Sequence, residues 1–229
     1  MEPTKATVQL VTLRDARSSA AEAYRSLRTN IMFSSLEQPV STLLLTSCAS
    51  GRADADEKSA VLANLAVTFA QGGHRTILVD ADLRRPRQHE LWGLSNEHGL
   101  TTMMLEEGAL VEPPIVETGV EDLFVLPSGP LPAIPADVIG SQRMGDVAGV
   151  LKARASFILY DAPPILAATD ALLLGSLLDG VVLSLRSGVT RREDALQARE
   201  ALERVHARIL GTVLTNAPRE MADRGYGST

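Results

Sequence analysis

Thr42-Leu43-Leu44-Leu45-Thr46, followed by Ser47-Cys48-Ala49-Ser50-Gly51-Arg52-Ala53-Asp54-Ala55-Asp56-Glu57-Lys58-Ser59, reads as a short apolar strand, a loop and the opening of a helix. The helix is predicted over 59–71, where Val61, Leu62, Leu65, Ala66 and Phe69 recur at helical spacing and Gly72-Gly73 ends the run. Working outward, further short apolar runs occupy 76–79, 157–160, 180–185 and 209–214, with a weaker one at 123–126. Their hydrophobicity is continuous rather than alternating, as expected of parallel strands buried on both faces. A second helix is predicted over 190–206, with Thr190 as its N-cap and Arg and Glu mixed on a solvated face. Strand–helix alternation of this kind predicts a doubly wound α/β fold, a mostly parallel sheet with helices on both faces.

The composition agrees. The chain has 229 residues, 45% hydrophobic and 22% charged, which is the balance of a folded domain. A single cysteine excludes an intrachain disulfide framework and fits a reducing compartment. Aromatics at 3% argue against a base-stacking RNA module, and a net charge of −6 argues against general nucleic-acid binding. The first fourteen residues lack a secretory pattern, and the most apolar stretch, 165–185, is broken by Asp170 and Asp179. The expected location is cytoplasmic, with the membrane reached only through a partner. Prolines place loops at 113–114 and 127–135, and the polar segment after Pro218 carries Gly225 and Gly227. The expected organisation is an N-terminal extension (1–17), one domain (18–217) and a flexible tail (218–229).

In such sheets ligands gather at the carboxyl ends of the strands. The run at 76–79 leads into Asp80-Ala81-Asp82, and that at 157–160 leads into Asp161. Their carboxylates should converge at one sheet edge, a natural oxygen-rich site for Mg2+. Lys58-Ser59 after a strand and a loop is the layout of a P-loop, in which backbone N–H groups cradle phosphates and the Lys pairs with them. The loop departs from the pattern. Glu57 stands where the glycine before the lysine belongs, Arg52 stands at the first glycine position, and Gly51 falls one residue early. Glycine serves there because the backbone needs a positive φ and a close approach to phosphate. Asp54, Asp56 and Glu57 add like charge, each contact at about 4 Å costing on the order of 4 kcal/mol at an effective dielectric near 20. ATP affinity is therefore expected to be weak or absent unless the loop refolds around the nucleotide.

Taken together, these motifs resemble the cytoplasmic domain of the bacterial tyrosine kinases of capsule and exopolysaccharide synthesis, P-loop proteins related to the MinD/ParA ATPases. Asp80-Ala81-Asp82-Leu83-Arg84-Arg85-Pro86 is similar to that family's second Walker motif, and Ile158-Leu159-Tyr160-Asp161-Ala162-Pro163-Pro164 to its Walker B strand. Glu22-Ala23-Tyr24-Arg25-Ser26-Leu27-Arg28 is similar to its Glu-x-x-Arg-x-x-Arg helix. Alone, that spacing describes a solvated stripe with an intrahelical ion pair worth a few tenths of a kcal/mol. The resemblance implies that Glu22, Arg25 and Arg28 join subunits into a ring-like homo-oligomer. It also implies ATP and Mg2+ as cofactors and a transmembrane adaptor of polysaccharide export as partner. By the same resemblance, Lys58 contacts the β- and γ-phosphates, with Gly51 in the phosphate loop and Asn216 at the base. Ser59, Asp82 and Asp161 hold the metal, and Asp80 takes the tyrosine proton with Arg84 beside it. Compared with the family's Pro-Gly-Glu-Gly-Lys-Ser, the loop is about four residues longer. The family's C-terminal tyrosine cluster is reduced to Tyr226, the phosphosite candidate. The alternatives are a non-catalytic, pseudokinase-like scaffold of the same pathway and, less favoured, a MinD/ParA-type ATPase, since the extra early lysine of that group is missing.

Overall fold

The computed structural model describes residues 10–34, 38–48 and 52–217, with the backbone alone for 52–56. In chain order the elements are α1 (Val11–Arg14), α2 (Ser19–Ser34), β1 (Thr42–Ser47), α3 (Arg52–Gln71), β2 (Thr76–Asp80), α4 (Gln88–Trp92), α5 (Leu100–Leu105) and α6 (Gly108–Val111). They continue with β3 (Val116–Glu117), β4 (Leu123–Leu126), α7 (Pro135–Ile139), α8 (Gln142–Lys152), β5 (Phe157–Asp161), α9 (Asp170–Leu177), β6 (Gly180–Arg186), α10 (Arg192–Arg204) and β7 (Ile209–Thr215).

The strands form one sheet in the order β3-β4-β2-β5-β1-β6-β7. Every pairing is parallel except that of β3 with β4. Side chains alternate across a strand, so the continuous apolar runs split between two cores. Leu43 and Leu45 of β1, Leu78 of β2 and Leu159 of β5 pack with Leu62, Leu65 and Phe69 of α3 and Trp92 of α4. Leu44, Ile77, Val79, Ile158 and Tyr160 face the other way, against Leu151 of α8, Leu174 of α9 and Leu202 of α10. Helices on both faces are the reason the inner strands β1, β2 and β5 show no polar side.

Three elements differ from expectation. The helix expected from Ser59 starts at Arg52, so Lys58 and Ser59 sit in its second turn. The cause is chemical: Ala53, Ala55 and Glu57 favour helix, and acids in the first turn suit the helix dipole. The helix expected from Thr190 begins at Arg192, because the Thr190 hydroxyl accepts the Arg186 N–H at 2.8 Å instead of capping. Pro135, expected in a loop, is the first residue of α7, where its missing N–H costs nothing. A strand that sequence reasoning missed, β3, is two exposed residues long.

At the opposite end of the sheet from the acids, Asp179 ties β1 down. Its Oδ2 accepts the N–H groups of Ser41 (3.0 Å) and Thr42 (2.8 Å), and its Oδ1 meets Lys152 at 2.9 Å. Partial burial pushes this carboxyl up, but Lys152 and the Thr42 and Ser41 donors outweigh it and hold it well below the usual range. A depressed folded value means the contribution is present above about pH 4 and is lost as pH falls further. Asp179→Ala should cost about 1–3 kcal/mol at neutral pH, measured by urea unfolding, with the gap to wild type closing in acid.

Candidate active site

Parallel register brings the acids together. Asp80 is level with Asp161, and Asp161 with Leu45, so β2 and β5 end on one line while the neighbouring β1 runs two residues further, to Ser47. Asp80 and Asp161 are fully buried and Asp82 nearly so. Between them lies Lys58, also fully buried. Its Nζ donates to Asp161 Oδ1 and to the Ala162 carbonyl, and stands 3.6 Å from Asp82 Oδ2. Burial alone would discharge this ammonium, but Asp161 and Asp82 outweigh it and keep its pKa above the ordinary lysine value.

Each carboxylate has its own support. Asp80 Oδ2 accepts the N–H groups of Arg87 (2.9 Å) and Gln88 (2.8 Å), while its buried Oδ1 has no partner. Burial, then the neighbouring Asp161, push the Asp80 carboxyl well above the carboxylate range. Asp82 Oδ1 accepts the N–H groups of Arg84 (3.3 Å) and Arg85 (3.0 Å), and burial raises its pKa despite Lys58. Gln88, which sequence reasoning missed, joins the parts: its Nε2 donates to Asp161 Oδ2 (2.7 Å) and to the Ser59 carbonyl (3.1 Å). Its one sequence signal is its place just after the Arg84–Arg87 run. Among the described residues, no three His, Cys, Asp or Glu side chains are placed to hold a metal by themselves.

The other predicted residues lie around this centre. Arg84 reaches away from it, forming a two-pronged pair with buried Asp170 at 2.8 and 3.0 Å. Glu57, expected to face phosphates at a strained φ, is instead helical and bridges to Arg186 at 3.0 Å. Asn216 follows β7 directly, in the left-handed region at φ 52°. Glu22 pairs with Arg25 at 2.7 Å within α2. Arg28 turns inward, where its Nη1 donates to the Thr68 carbonyl of α3 at 2.6 Å. Gly51 and Tyr226 fall outside the described residues.

No protein-family model matches the chain. Curated relatives do. Tyrosine-protein kinase YwqD of Bacillus subtilis (strain 168) is 38% identical over 205 residues, 90% of this chain and 84% of the relative. The chain belongs to the bacterial tyrosine-protein kinases. Within that family, Putative tyrosine-protein kinase CapB of Staphylococcus aureus is 34% identical over 219 residues, 95% of this chain and 94% of the relative. The crystal structure of the chimerical protein CapA2B2 superposes with a TM-score of 0.84 at 34% identity, covering 91% of this chain and 90% of that one. A MinD from Pyrococcus horikoshii OT3 shares the fold alone, at a TM-score of 0.63 and 22% identity over 80% of this chain and 76% of that one. The doubly wound P-loop fold and the tyrosine-kinase family expected from the motifs are therefore both found.

Proposed function

We propose that this bacterial tyrosine-kinase family member serves capsular and exopolysaccharide biosynthesis with impaired ATP-dependent phosphoryl transfer, working through self-association and a transmembrane adaptor. One observation carries the reading: Lys58 lies in the second turn of α3 and is held by Asp161 and Ala162. An N–H that bonds within a helix is not available to a phosphate, and only the first four are free. By that rule the free donors lie at the helix start near Arg52, upstream of Lys58.

The remaining parts keep the family's chemistry. Asp82, Asp161 and Ser59 supply oxygen donors, and the unpartnered Asp80 Oδ1 adds a buried acceptor, so the set fits Mg2+ in kind. Bound with nucleotide, the metal would neutralise phosphate charge. Lys58 would leave Asp161 for the β- and γ-phosphates, and Asp80, its pKa already raised, would take the proton of an incoming tyrosine such as Tyr226. This retained acid cluster favours a second reading, an active kinase. Incubation with ATP and Mg2+ followed by phosphotyrosine mapping separates the two. Little or no phosphate is expected on Tyr226, and tight ATP binding by calorimetry would overturn the proposal. Among the described residues no helix is long and apolar enough to cross a membrane. That is consistent with membrane contact through an adaptor.

The α2 stripe separates assembly from folding. Arg25 is one-third exposed and its partners lie on or just before its own helix, so Arg25→Ala should weaken self-association in analytical ultracentrifugation and leave stability almost unchanged. Arg28→Ala also loses the bond to α3, and is expected to lower unfolding free energy by about 1–2 kcal/mol.

A further inference from the structure

At the amino end of the sheet, opposite the acid centre, a cleft of about 310 Å³ opens between β3 and the end of α6. Ile77, Pro113, Ile115 and Phe124 supply its apolar lining, and Glu112 and Glu117 stand in its wall. Two arginines also line it, and both are engaged. Arg75 lies over the Phe124 ring at 4.2 Å, and Arg154 donates to the Val111 and Val150 carbonyls at 2.7 and 3.3 Å. Glu112 and Glu117 are exposed and, among the described residues, pair with no basic side chain. Glu121 and Asp122 follow on the turn into β4. The acidity extends further, because nine acids and no Lys or Arg fall between Arg87 and Arg143.

β3 is also an open edge: it ends the sheet and pairs with β4 alone. The Thr118 N–H donates to the Leu123 carbonyl, which puts Glu117 at a non-bonded position opposite Phe124. The N–H and C=O of Glu117 therefore point outward, away from the sheet. Its side chain shares the cleft face with Phe124, and exposed Val116 lies on the other face. Val111, at the mouth of the cleft, is 78% exposed.

We propose that this edge and cleft form a docking surface for an extended segment of a partner protein in which basic and apolar residues alternate, added as a strand to β3. Side chains of an added strand alternate between the two faces of the sheet. Those beside Glu117 lie over the cleft, where the stem of a Lys or Arg covers Ile115 and Pro113 while its head meets Glu112 and Glu117. Those beside Val116 meet an apolar side chain. An acidic segment meets like charge here, and nucleic acid or an anionic lipid surface is repelled for the same reason. The surface lies at the far end of the sheet from Lys58 and its acids, so the inference stands apart from the proposed function.

The test measures fluorescence anisotropy of three labelled peptides with the full chain. They are Lys-Val-Arg-Val-Lys-Val-Arg, the same residues in block order as Lys-Arg-Lys-Arg-Val-Val-Val, and the acidic Glu-Val-Glu-Val-Glu-Val-Glu. The alternating basic peptide is expected to bind about tenfold tighter than the block order, and the acidic one not at all. Glu112→Gln combined with Glu117→Gln should weaken the alternating peptide about tenfold, the loss of two charge contacts. Asp137→Asn, at an exposed acid of α7, should leave its affinity unchanged. No binding of the alternating peptide, equal binding of the two basic orders, a preference for the acidic peptide, or an equal loss in Asp137→Asn overturns the proposal. All three substitutions fall at exposed positions, and circular dichroism verifies that the fold persists. ATP is absent throughout, so the result does not depend on whether the chain binds nucleotide.

Discussion

Lys58→Met is expected to destabilise the protein by about 3–5 kcal/mol, a large share of the stability of a domain of this size. The ammonium is fully buried, bonded to Asp161 and the Ala162 carbonyl, and 3.6 Å from Asp82. Removing it leaves buried carboxylates facing one another with no cation between them. Methionine matches the volume of the lysine stem, so the loss is electrostatic rather than a cavity effect. Urea unfolding gives the magnitude. The double variant Lys58→Met with Asp161→Asn removes one of the buried charges left without a cation and should recover part of the loss. A loss below about 1 kcal/mol would show that Lys58 is readily released from this setting.

Replacing residues 50–57 with Pro-Gly-Glu-Gly should raise ATP affinity by about a hundredfold. The exchange removes the acids Asp54 and Asp56, restores glycine before the lysine, and shortens the helix so that it begins near Lys58. Two recovered N–H contacts to phosphate, at about 1.5 kcal/mol each, account for the factor. Calorimetry with ATP and Mg2+ measures the affinity, and phosphotyrosine mapping shows whether transfer follows. If affinity rises without transfer, the lesion extends beyond the loop to the acceptor or to assembly.

The strands were legible in the sequence because burial on both faces leaves a continuous apolar run. Each of the main ones extends one residue beyond that run, since the following polar residue still completes the ladder: Ser47, Asp80, Asp161, Arg186 and Thr215. The convergence of Asp80 and Asp161 followed from the same feature, two apolar runs ending in acid. The two-residue β3 left no signal, because Val116 and Glu117 are exposed and their pairing is set by β4. Gln88 was invisible because its role comes from two partners distant in sequence. The early start of α3 could have been read from Ala, Asp and Glu replacing glycine and proline, but the motif suggested a loop and outweighed propensity. Arg28 and Arg84 show the limit of motif reading. Both lie in the expected motifs, yet tertiary contacts with Thr68 and Asp170 decide where their charges point.

The sheet order has a consequence for how the chain is made. β1 stands between β5 and β6, more than a hundred residues downstream, while the apolar side chains of Leu43, Leu44 and Leu45 emerge early in synthesis. At roughly 5–20 residues per second, both edges of β1 wait on the order of ten seconds for their partners. Nascent chains stalled before Arg186 therefore carry an apolar strand with at least one edge unpaired. β1, which leads toward the helix carrying Lys58, is thus the inner strand that waits longest for its neighbours.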